Sequence, residues 1–299
     1  LEASANKIAN YCYEHGEEVR VVGVPKTIDN DLPITDHCPG FGSAAKYIAT
    51  TLMEVAADAE VYPMKSVVIA EIMGRNAGWL TAAAALTREL GGSYAPQLIY
   101  LPEAAFDPEQ FVADVRRELE LCDTVVVAVS EGVRLADGSY VAESMQSGQV
   151  DAFGHKYLAG VGKYLERLTA DRIGCKVRSL ELSVMQRAAA HLQSATDLEE
   201  AVRAGEKAVE AMLRGDTRIM VAYRRISDAP YRIAYETAPL SEVANVEHKI
   251  PREWINEAGN NVREELVRYL APLIQGEVSI PMKNGLPAHF AFDKTNFAK

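Results

Sequence analysis

Short apolar runs rich in β-branched residues alternate with longer helical patterns through the first half of this chain. Each run has the length and composition of a strand buried on both faces, which is typical of parallel sheets. These runs are Glu18–Val24, Ser66–Ala70, Gln97–Leu101 and Thr124–Val129. The segments between them have helical patterns: Gly42–Ala57, Asn76–Leu90 and Asp107–Leu121. The alternation predicts an α/β fold with mostly parallel, helix-covered sheets.

The second half of the chain is less regular but continues both patterns. Helices are predicted at Phe153–Thr169, at Leu198–Leu213, which Gly215 ends, and at Asn261–Leu270. Strands are predicted at Lys176–Leu182, Arg218–Tyr223 and Arg232–Tyr235. The segment Ile280–Lys299 is punctuated by proline and glycine, as is typical of a tail.

Composition and charge narrow the class of protein. Hydrophobic residues make up 48% and charged residues 24% of the chain, as in ordinary soluble globular proteins. No apolar run approaches the roughly 18 residues of a membrane span, and the formal net charge of −11 repels nucleic acid and anionic membranes. We therefore expect no membrane or nucleic-acid partner. The four cysteines are scattered without a CxxC pair, so a cytoplasmic location is expected.

Polar residues follow the first predicted strand. In an open parallel sheet, ligands collect at the carboxyl ends of the strands. Here Asp29 and Asp31 lie one residue apart, beside Lys26 and Thr27. One interpretation is a general base next to a metal-coordinating carboxylate. The other is a plain polar turn, because Asp, Asn and Pro all favour turns.

The ends of two later strands also carry candidate residues. Gly74 lets a ligand approach the backbone, and Arg75 is suited to forked binding of a phosphate before a helix. A simple strand-to-helix turn explains the same pattern. Glu131 is suited to accept hydrogen bonds from sugar hydroxyls, or is an ordinary loop carboxylate.

Taken together, these motifs resemble the phosphofructokinase family across nearly the whole chain. The motifs are Pro25-Lys26-Thr27-Ile28-Asp29-Asn30-Asp31, Met73-Gly74-Arg75 and Ser130-Glu131-Gly132. The stretch Cys38–Ala45 resembles the pyrophosphate-dependent branch of that family. The resemblance implies a phosphofructokinase-like fold and transfer of a phosphoryl group to the C1 hydroxyl of fructose 6-phosphate, giving fructose 1,6-bisphosphate reversibly in glycolysis.

The resemblance assigns roles to the residues after the first strand. Asp29 is implied to be the catalytic base that takes the proton from the C1 hydroxyl. Thr27 is implied to position the sugar and the transferring phosphoryl group, and Asp31 to help hold Mg²⁺.

A second set of residues is implied to bind fructose 6-phosphate. Met73, Gly74 and Arg75 line its pocket, with Arg75 also near the transferring phosphoryl group. Glu131 binds sugar hydroxyls. Arg178 and Arg187 bind the 6-phosphate, with Arg178 supplied by a neighbouring subunit, since the family forms dimers or tetramers.

The chain departs from the family pattern in three places. Val184 stands where bacterial ATP-dependent enzymes have His, and Lys65 stands where they have Arg. The Gly-rich loop that holds the donor phosphates in the family has no counterpart in the sequence, so we expect an N-terminally truncated fold. Residues 1–132 are then the rest of the donor and catalytic domain, and 133–299 the sugar-phosphate-binding domain and tail, with interleaved segments.

Lys26 bears on the phosphoryl donor. Bacterial ATP-dependent enzymes have Gly at this position, and a lysine ammonium there suits pyrophosphate, although one ATP-using branch shares the Lys. Pyrophosphate is therefore the expected donor, with ATP as the alternative. A different alternative is an inactive fragment that binds fructose 6-phosphate or pairs with a complete homologue as a regulatory subunit.

Overall fold

The structure is a computed structural model that describes residues 2–90, 95–141, 160–243 and 246–288. Its helices are α1 (Glu2–Glu14), α2 (Phe41–Ala59), α3 (Trp79–Ala82), α4 (Pro108–Leu121), α5 (Val161–Ile173), α6 (Ala195–Arg214), α7 (Leu240–Val243) and α8 (Glu264–Leu270). Its strands are β1 (Val22–Gly23), β2 (Ser66–Ile72), β3 (Leu98–Tyr100), β4 (Thr124–Ser130), β5 (Lys176–Glu181), β6 (Ile219–Asp228), β7 (Tyr231–Pro239), β8 (Met282–Lys283) and β9 (Leu286–Pro287). Short 3₁₀ segments include Ala83–Leu90 and Ser183–Arg187.

The larger sheet has four parallel strands in the order β3-β4-β2-β5. Every residue of β2 and β4 is buried, which explains their continuous apolar sequence. The connecting helix α4 is capped by Asp107, whose carboxylate accepts the amide of Glu109 at 2.8 Å, and the helix buries Phe111 and Val115 against this sheet. The predicted parallel, helix-covered sheet is confirmed.

The smaller sheet has the order β1-β6-β7, with β1 parallel and β7 antiparallel to β6. Met220 and Ala222 of β6 pack towards Leu240 and Val243 around α7 on one face. Tyr223 packs with alanines of α6 on the other face. Helix α6 ends at Gly215, which has a positive φ of 100°, so the predicted helix end is confirmed.

The two sheets interleave the two halves of the sequence. Strand β5, from the second half, pairs with β2 from the first half, and β1 pairs with β6. Each sheet therefore contains strands from both sides of the expected domain boundary between residues 132 and 133. That boundary stays a prediction. Among the described residues, no helix combines the length and apolarity that a bilayer crossing needs.

Several elements are shorter than predicted. The strand expected at Glu18–Val24 is limited to β1, because the amide of Val21 donates to the hydroxyl of Thr217 rather than to a strand carbonyl. The helix expected from Asn76 begins at Trp79, since Glu103 accepts the amide of Gly78 at 2.9 Å and holds the preceding residues in a turn. That helix continues as the 3₁₀ segment Ala83–Leu90.

Three further boundaries differ from prediction. Helix α8 begins at Glu264 rather than at Asn261, because Asn256 accepts the amides of Asn260 and Asn261 and forms a polar turn. Of the helix expected at Phe153–Thr169, residues 153–159 lie outside the described residues, and α5 begins at Val161. The expected tail contains the small antiparallel pair β8–β9, and its residues 289–299 are outside the described part.

Candidate active site

The loop between β1 and α2 is held in place by Asn30. This residue is fully buried and has a positive φ of 56°, a conformation that asparagine tolerates better than most residues. Its side-chain amide donates to the hydroxyl of Tyr269 at 3.1 Å, and its side-chain carbonyl accepts the amide of Cys38 at 3.0 Å. The carbonyl of Asp31 accepts the amide of His248 at 2.7 Å. These hydrogen bonds hold the backbone of the loop that carries the carboxylates of Asp29 and Asp31.

Asp29 has the electrostatics of a general base. Its amide donates to the hydroxyl of Thr27 at 3.0 Å. Burial, and then the charge of Asp31, raise the pKa of Asp29 to about 6, while Lys26, Arg75 and Arg187 act in the opposite direction. A carboxylate with this pKa is mostly ionised at neutral pH and is still a useful proton acceptor.

The turn after β2 requires glycine at residue 74. Gly74 has a φ of 138°, and a β-carbon there would lie 2.6 Å from the carbonyl oxygen of Ala77. The hydroxyl of Ser130 donates to the carbonyl of Gly74 at 2.6 Å and accepts the amide of Gly132 at 3.1 Å. These bonds join the carboxyl ends of the neighbouring strands β2 and β4.

Glu131 lies at the same junction. Its carboxylate accepts the amide of Gly74 at 3.3 Å. Burial is the main cause that raises the pKa of Glu131 to about 7, and the charges of Asp29 and Glu71 add to it, while Arg75 lowers it. Near neutral pH both the protonated and the ionised form of Glu131 are populated. The protonated form donates a hydrogen bond to a hydroxyl group, and the ionised form accepts one.

Arg187 reaches the site from the 3₁₀ segment Ser183–Arg187. The neighbouring Gln186 is buried, accepts the amide of Met73 at 3.3 Å and donates to the carbonyl of Ser183 at 3.1 Å. Arg187 is exposed and lines a cavity of about 300 Å³ together with Ile28. The structure therefore brings Arg187 into the neighbourhood of Asp29, where both Arg187 and Arg75 lower the pKa of the aspartate.

Arg178 and Lys65 lie elsewhere in this chain. Arg178 is exposed on β5, opposite Val68 in the middle of β2, and is 3.8 Å from Asp58. The ammonium of Lys65 donates to the carbonyl of Cys122, just after α4, at 3.1 Å. Lys65 precedes β2, whereas Met73 follows it, so the two residues lie at opposite ends of this strand. The structure does not bring Arg178 to Asp29, and its role in phosphate binding stays a prediction.

Two buried residues beside the site, Glu71 and Gln186, were not given a separate role from the sequence. Glu71 is buried in β2, where it accepts the amide of Gly162 at 2.7 Å, and burial raises its pKa to about 6. Gln186 supports the backbone of Met73. The signal for Glu71 was a single carboxylate inside an otherwise apolar strand, since such a residue is rarely buried without a partner.

Within the part of the chain that the structure describes, no group of three or more His, Cys, Asp or Glu side chains is arranged to hold a metal ion. The charge of Asp31 nevertheless acts on Asp29, so a cation beside Asp31 would offset two neighbouring carboxylates. Mg²⁺ keeps several waters and commonly takes one or two carboxylates together with substrate phosphates. The residues present therefore fit a magnesium ion that is shared with a phosphorylated ligand.

Comparison with known proteins identifies close relatives. A family model described as phosphofructokinase matches residues 3–212. The pyrophosphate–fructose 6-phosphate 1-phosphotransferase of Halomonas elongata is 45% identical over 94% of this chain and 67% of its own length. The protein of the same name from Xanthomonas campestris is 42% identical over 99% of this chain and 71% of its own length.

A solved structure shows the same fold. The pyrophosphate-dependent phosphofructokinase from Marinobacter aquaeolei superimposes with a TM-score of 0.84 at 36% identity, over 96% of this chain and 68% of that one. The chain thus spans about two thirds of the length of the relatives it matches.

Proposed function

Because the chain belongs to the phosphofructokinase family, we propose that it carries the acceptor side of a phosphotransferase that moves a phosphoryl group reversibly from pyrophosphate to the C1 hydroxyl of fructose 6-phosphate. The product is fructose 1,6-bisphosphate, as in glycolysis. The observation that carries the proposal is Asp29, a partly buried carboxylate with a pKa of about 6 in the field of Lys26, Arg75 and Arg187. A base on which three positive charges act suits proton removal from a hydroxyl group beside a phosphoryl group that is being transferred.

The sugar phosphate binds across the ends of β2 and β4. Glu131 hydrogen-bonds the sugar hydroxyls, and Gly74 together with Met73 provides a close backbone surface for the ring. Arg75 and Arg187 bind phosphate oxygens through their guanidinium groups. The support for this arrangement is the bond between Gly74 and Glu131 and the contact of Gln186 with Met73.

Catalysis consists mainly of positioning and charge neutralisation, as is general for phosphoryl transfer. Asp29 accepts the proton of the C1 hydroxyl, and Thr27 holds the loop that carries Asp29. Arg75 and Lys26 offset the negative charge that spreads over the transferring group. Asp31 would hold a Mg²⁺ ion, which supplies further charge neutralisation on the donor phosphates when it is bound.

The donor is pyrophosphate because Lys26 places a compact positive charge beside Asp29. Two relatives more than 40% identical are named for this donor. We also place the protein in the cytoplasm, since no two of its four cysteines form a disulfide. The assembly is a homodimer or homotetramer in which Arg178, exposed on β5, completes the phosphate site of a neighbouring subunit.

The experiment compares this chain with a completed chain, by which we mean this chain joined to the part of the Halomonas elongata relative that it does not cover. Fructose 1,6-bisphosphate formation is followed with pyrophosphate and with ATP. We expect turnover of the completed chain with pyrophosphate, and little or no turnover of the chain alone. Turnover with ATP only would identify an ATP-dependent enzyme. Fructose 6-phosphate binding without any turnover in the completed chain would identify a binding or regulatory subunit instead.

A further inference from the structure

His37 is a buried histidine in the segment that joins the Asp29 loop to α2. Its side chain is almost fully buried, at 1% exposure. Its Nδ1 lies 2.8 Å from a carboxylate oxygen of Asp36, and its Nε2 lies 2.7 Å from a carboxylate oxygen of Glu200 on α6. Both ring nitrogens therefore face carboxylates.

Such an arrangement needs a proton on each ring nitrogen. A neutral imidazole has one N–H donor and one lone pair, and carboxylates are acceptors only. A neutral His37 would point its lone pair at one of the two carboxylates, whereas an imidazolium donates to both. Consistent with this geometry, the hydrogen bonds to Asp36 and Glu200 outweigh burial and raise the pKa of His37 above its ordinary value.

The carboxylates on either side of His37 are held from other elements. Arg225 of β6 donates to Asp36 at 3.1 Å, and hydrogen bonds to His37 and the charge of Arg225 lower the pKa of Asp36 despite its burial. Tyr231 of β7 donates to Glu200 at 2.7 Å. The ring of His37 also packs against Tyr223, with 4.8 Å between the ring centres. Tyr269 contacts the backbone of Asp36, and Asp228 pairs with Arg225 at 3.0 Å.

A chain of contacts leads from this cluster to the base. The hydroxyl of Tyr269 donates to the backbone carbonyl of Asp36 at 2.5 Å and accepts the side-chain amide of Asn30 at 3.1 Å. Asn30 is the residue after Asp29. Thr35 donates to the carbonyl of His37 at 2.8 Å and accepts the amide of Tyr223, so the same segment is also attached to β6.

We propose that His37 is a positioning residue: as a buried imidazolium between Asp36 and Glu200 it fastens the Asp29 loop to α6 and so fixes the direction of the base. The proposal rests on the proposed function for its kinetic consequences, but not for the ionisation state of the ring. Loss of the imidazolium charge would leave one of the two buried carboxylates facing the lone pair of the ring, which weakens the attachment of the loop to α6.

The first experiment measures the ionisation of the ring in the chain alone. The chain has six histidines, and ¹⁵N-histidine NMR with the His37→Asn variant identifies the signals of His37. We expect both ring nitrogens of His37 to carry protons at about pH 8, where a histidine side chain with the ordinary pKa of about 6.5 is neutral. A neutral His37 at that pH overturns the proposal, whatever the enzyme's activity.

The second experiment measures kinetics in the completed chain. For His37→Asn we expect kcat to fall by about 10- to 100-fold, as misplaced catalytic groups do, with a smaller change in the Michaelis constant for the sugar. In the unaltered completed chain we expect kcat to fall at alkaline pH, where the His37 imidazolium loses its proton. Glu200→Gln removes a carboxylate that stabilises the imidazolium, so this alkaline fall of kcat should move to lower pH. His15→Asn, at an exposed residue directly after α1, should change neither kcat nor its pH dependence.

The double variant His37→Asn/Glu200→Gln removes one buried cation and one buried anion together, so it leaves no unpaired buried charge at residue 200. It serves as the folded protein for the measurement if His37→Asn alone does not fold. A double variant with wild-type kcat overturns the positioning role. An alkaline limb of kcat that stays in place in Glu200→Gln also overturns it. If the unaltered completed chain has no activity, the proposed function fails, while the NMR result still decides the state of His37.

Discussion

Gly132 lies against the backbone of Arg75 so closely that a β-carbon at residue 132 would be 2.0 Å from the carbonyl oxygen of Arg75. This close approach joins the turn after β4 to the turn after β2. Arg75 and Gly132 directly follow Gly74 and Glu131, which are themselves joined by a hydrogen bond. The residues proposed to bind one substrate thus depend on a position that has no room for any side chain.

Gly132→Ala is therefore expected to disrupt the site. Overpacking in a well-packed region costs about 1–3 kcal/mol or more, so the free energy of unfolding in urea should fall by at least this amount, and fructose 6-phosphate binding should be lost in calorimetry. Gly205→Ala is the matched control. A β-carbon at Gly205 meets no atom within 4 Å, and Ala favours the interior of α6, so this variant should be neutral or slightly stabilised. Normal sugar binding by Gly132→Ala would show that the turns do not need this contact.

Asp29→Asn should abolish the base without removing the sugar site. General-base catalysis contributes about 10²–10⁴-fold, so kcat of the completed chain should fall by this factor while the affinity for fructose 6-phosphate is kept. Asp171→Asn, at an exposed residue of α5, is the control and should leave kcat unchanged. Near-normal turnover of Asp29→Asn would remove this residue from the mechanism.

The raised pKa of Asp29 also predicts a pH dependence. The base must be ionised, so kcat/KM should fall as the pH drops through about 6, the pKa of Asp29. Because the folded-state pKa lies above the unfolded value, the folded protein binds this proton more tightly, and stability decreases as pH rises towards 6. Asp29→Asn should therefore raise the melting temperature at neutral pH. The Asp29→Glu variant provides the check. If its kcat/KM falls at acid pH with the same midpoint and the same maximum as in the unaltered enzyme, a different residue is the base.

Arg75→Ala and Arg187→Ala should each weaken binding of fructose 6-phosphate. Hydrogen bonds to charged groups contribute roughly 1.5–3 kcal/mol, which corresponds to about a 10- to 150-fold loss in affinity. Arg203, exposed on α6 and paired with Glu206, provides the control variant Arg203→Ala. Titration calorimetry with the sugar phosphate measures all three variants, and unchanged affinity in Arg187→Ala would show that the phosphate binds elsewhere.

The parts of the fold that depend on local pattern were predictable from the sequence. The strands β2 and β4 are apolar throughout because both of their faces are buried, and α4 begins where Asp107 and Pro108 indicate. The short motifs predicted that Asp29, Arg75 and Glu131 follow strands, and in the structure they follow β1, β2 and β4, while their catalytic and binding roles stay predictions.

The rest of the site depends on contacts between distant parts of the chain. Nothing near His37 indicates that its partner is Glu200, which lies 163 positions away, or that Tyr269 supports Asn30 across 239 positions. The ends of β1 and α8 are likewise decided by side-chain bonds from Thr217 and Asn256, which compete with the regular backbone pattern.

The central claim, a sugar phosphotransferase that uses pyrophosphate, is tested most directly through Lys26. The measurement is kcat/KM for pyrophosphate and for ATP in the completed chain and in its Lys26→Gly variant. Pyrophosphate has no nucleoside to anchor it, so its binding depends on charge, and loss of the ammonium should lower its kcat/KM by about 10- to 150-fold. We predict that the unaltered enzyme prefers pyrophosphate and that the substitution damages pyrophosphate use far more than ATP use. A preference for ATP, or a kcat/KM for pyrophosphate that is unchanged in Lys26→Gly, would contradict the account.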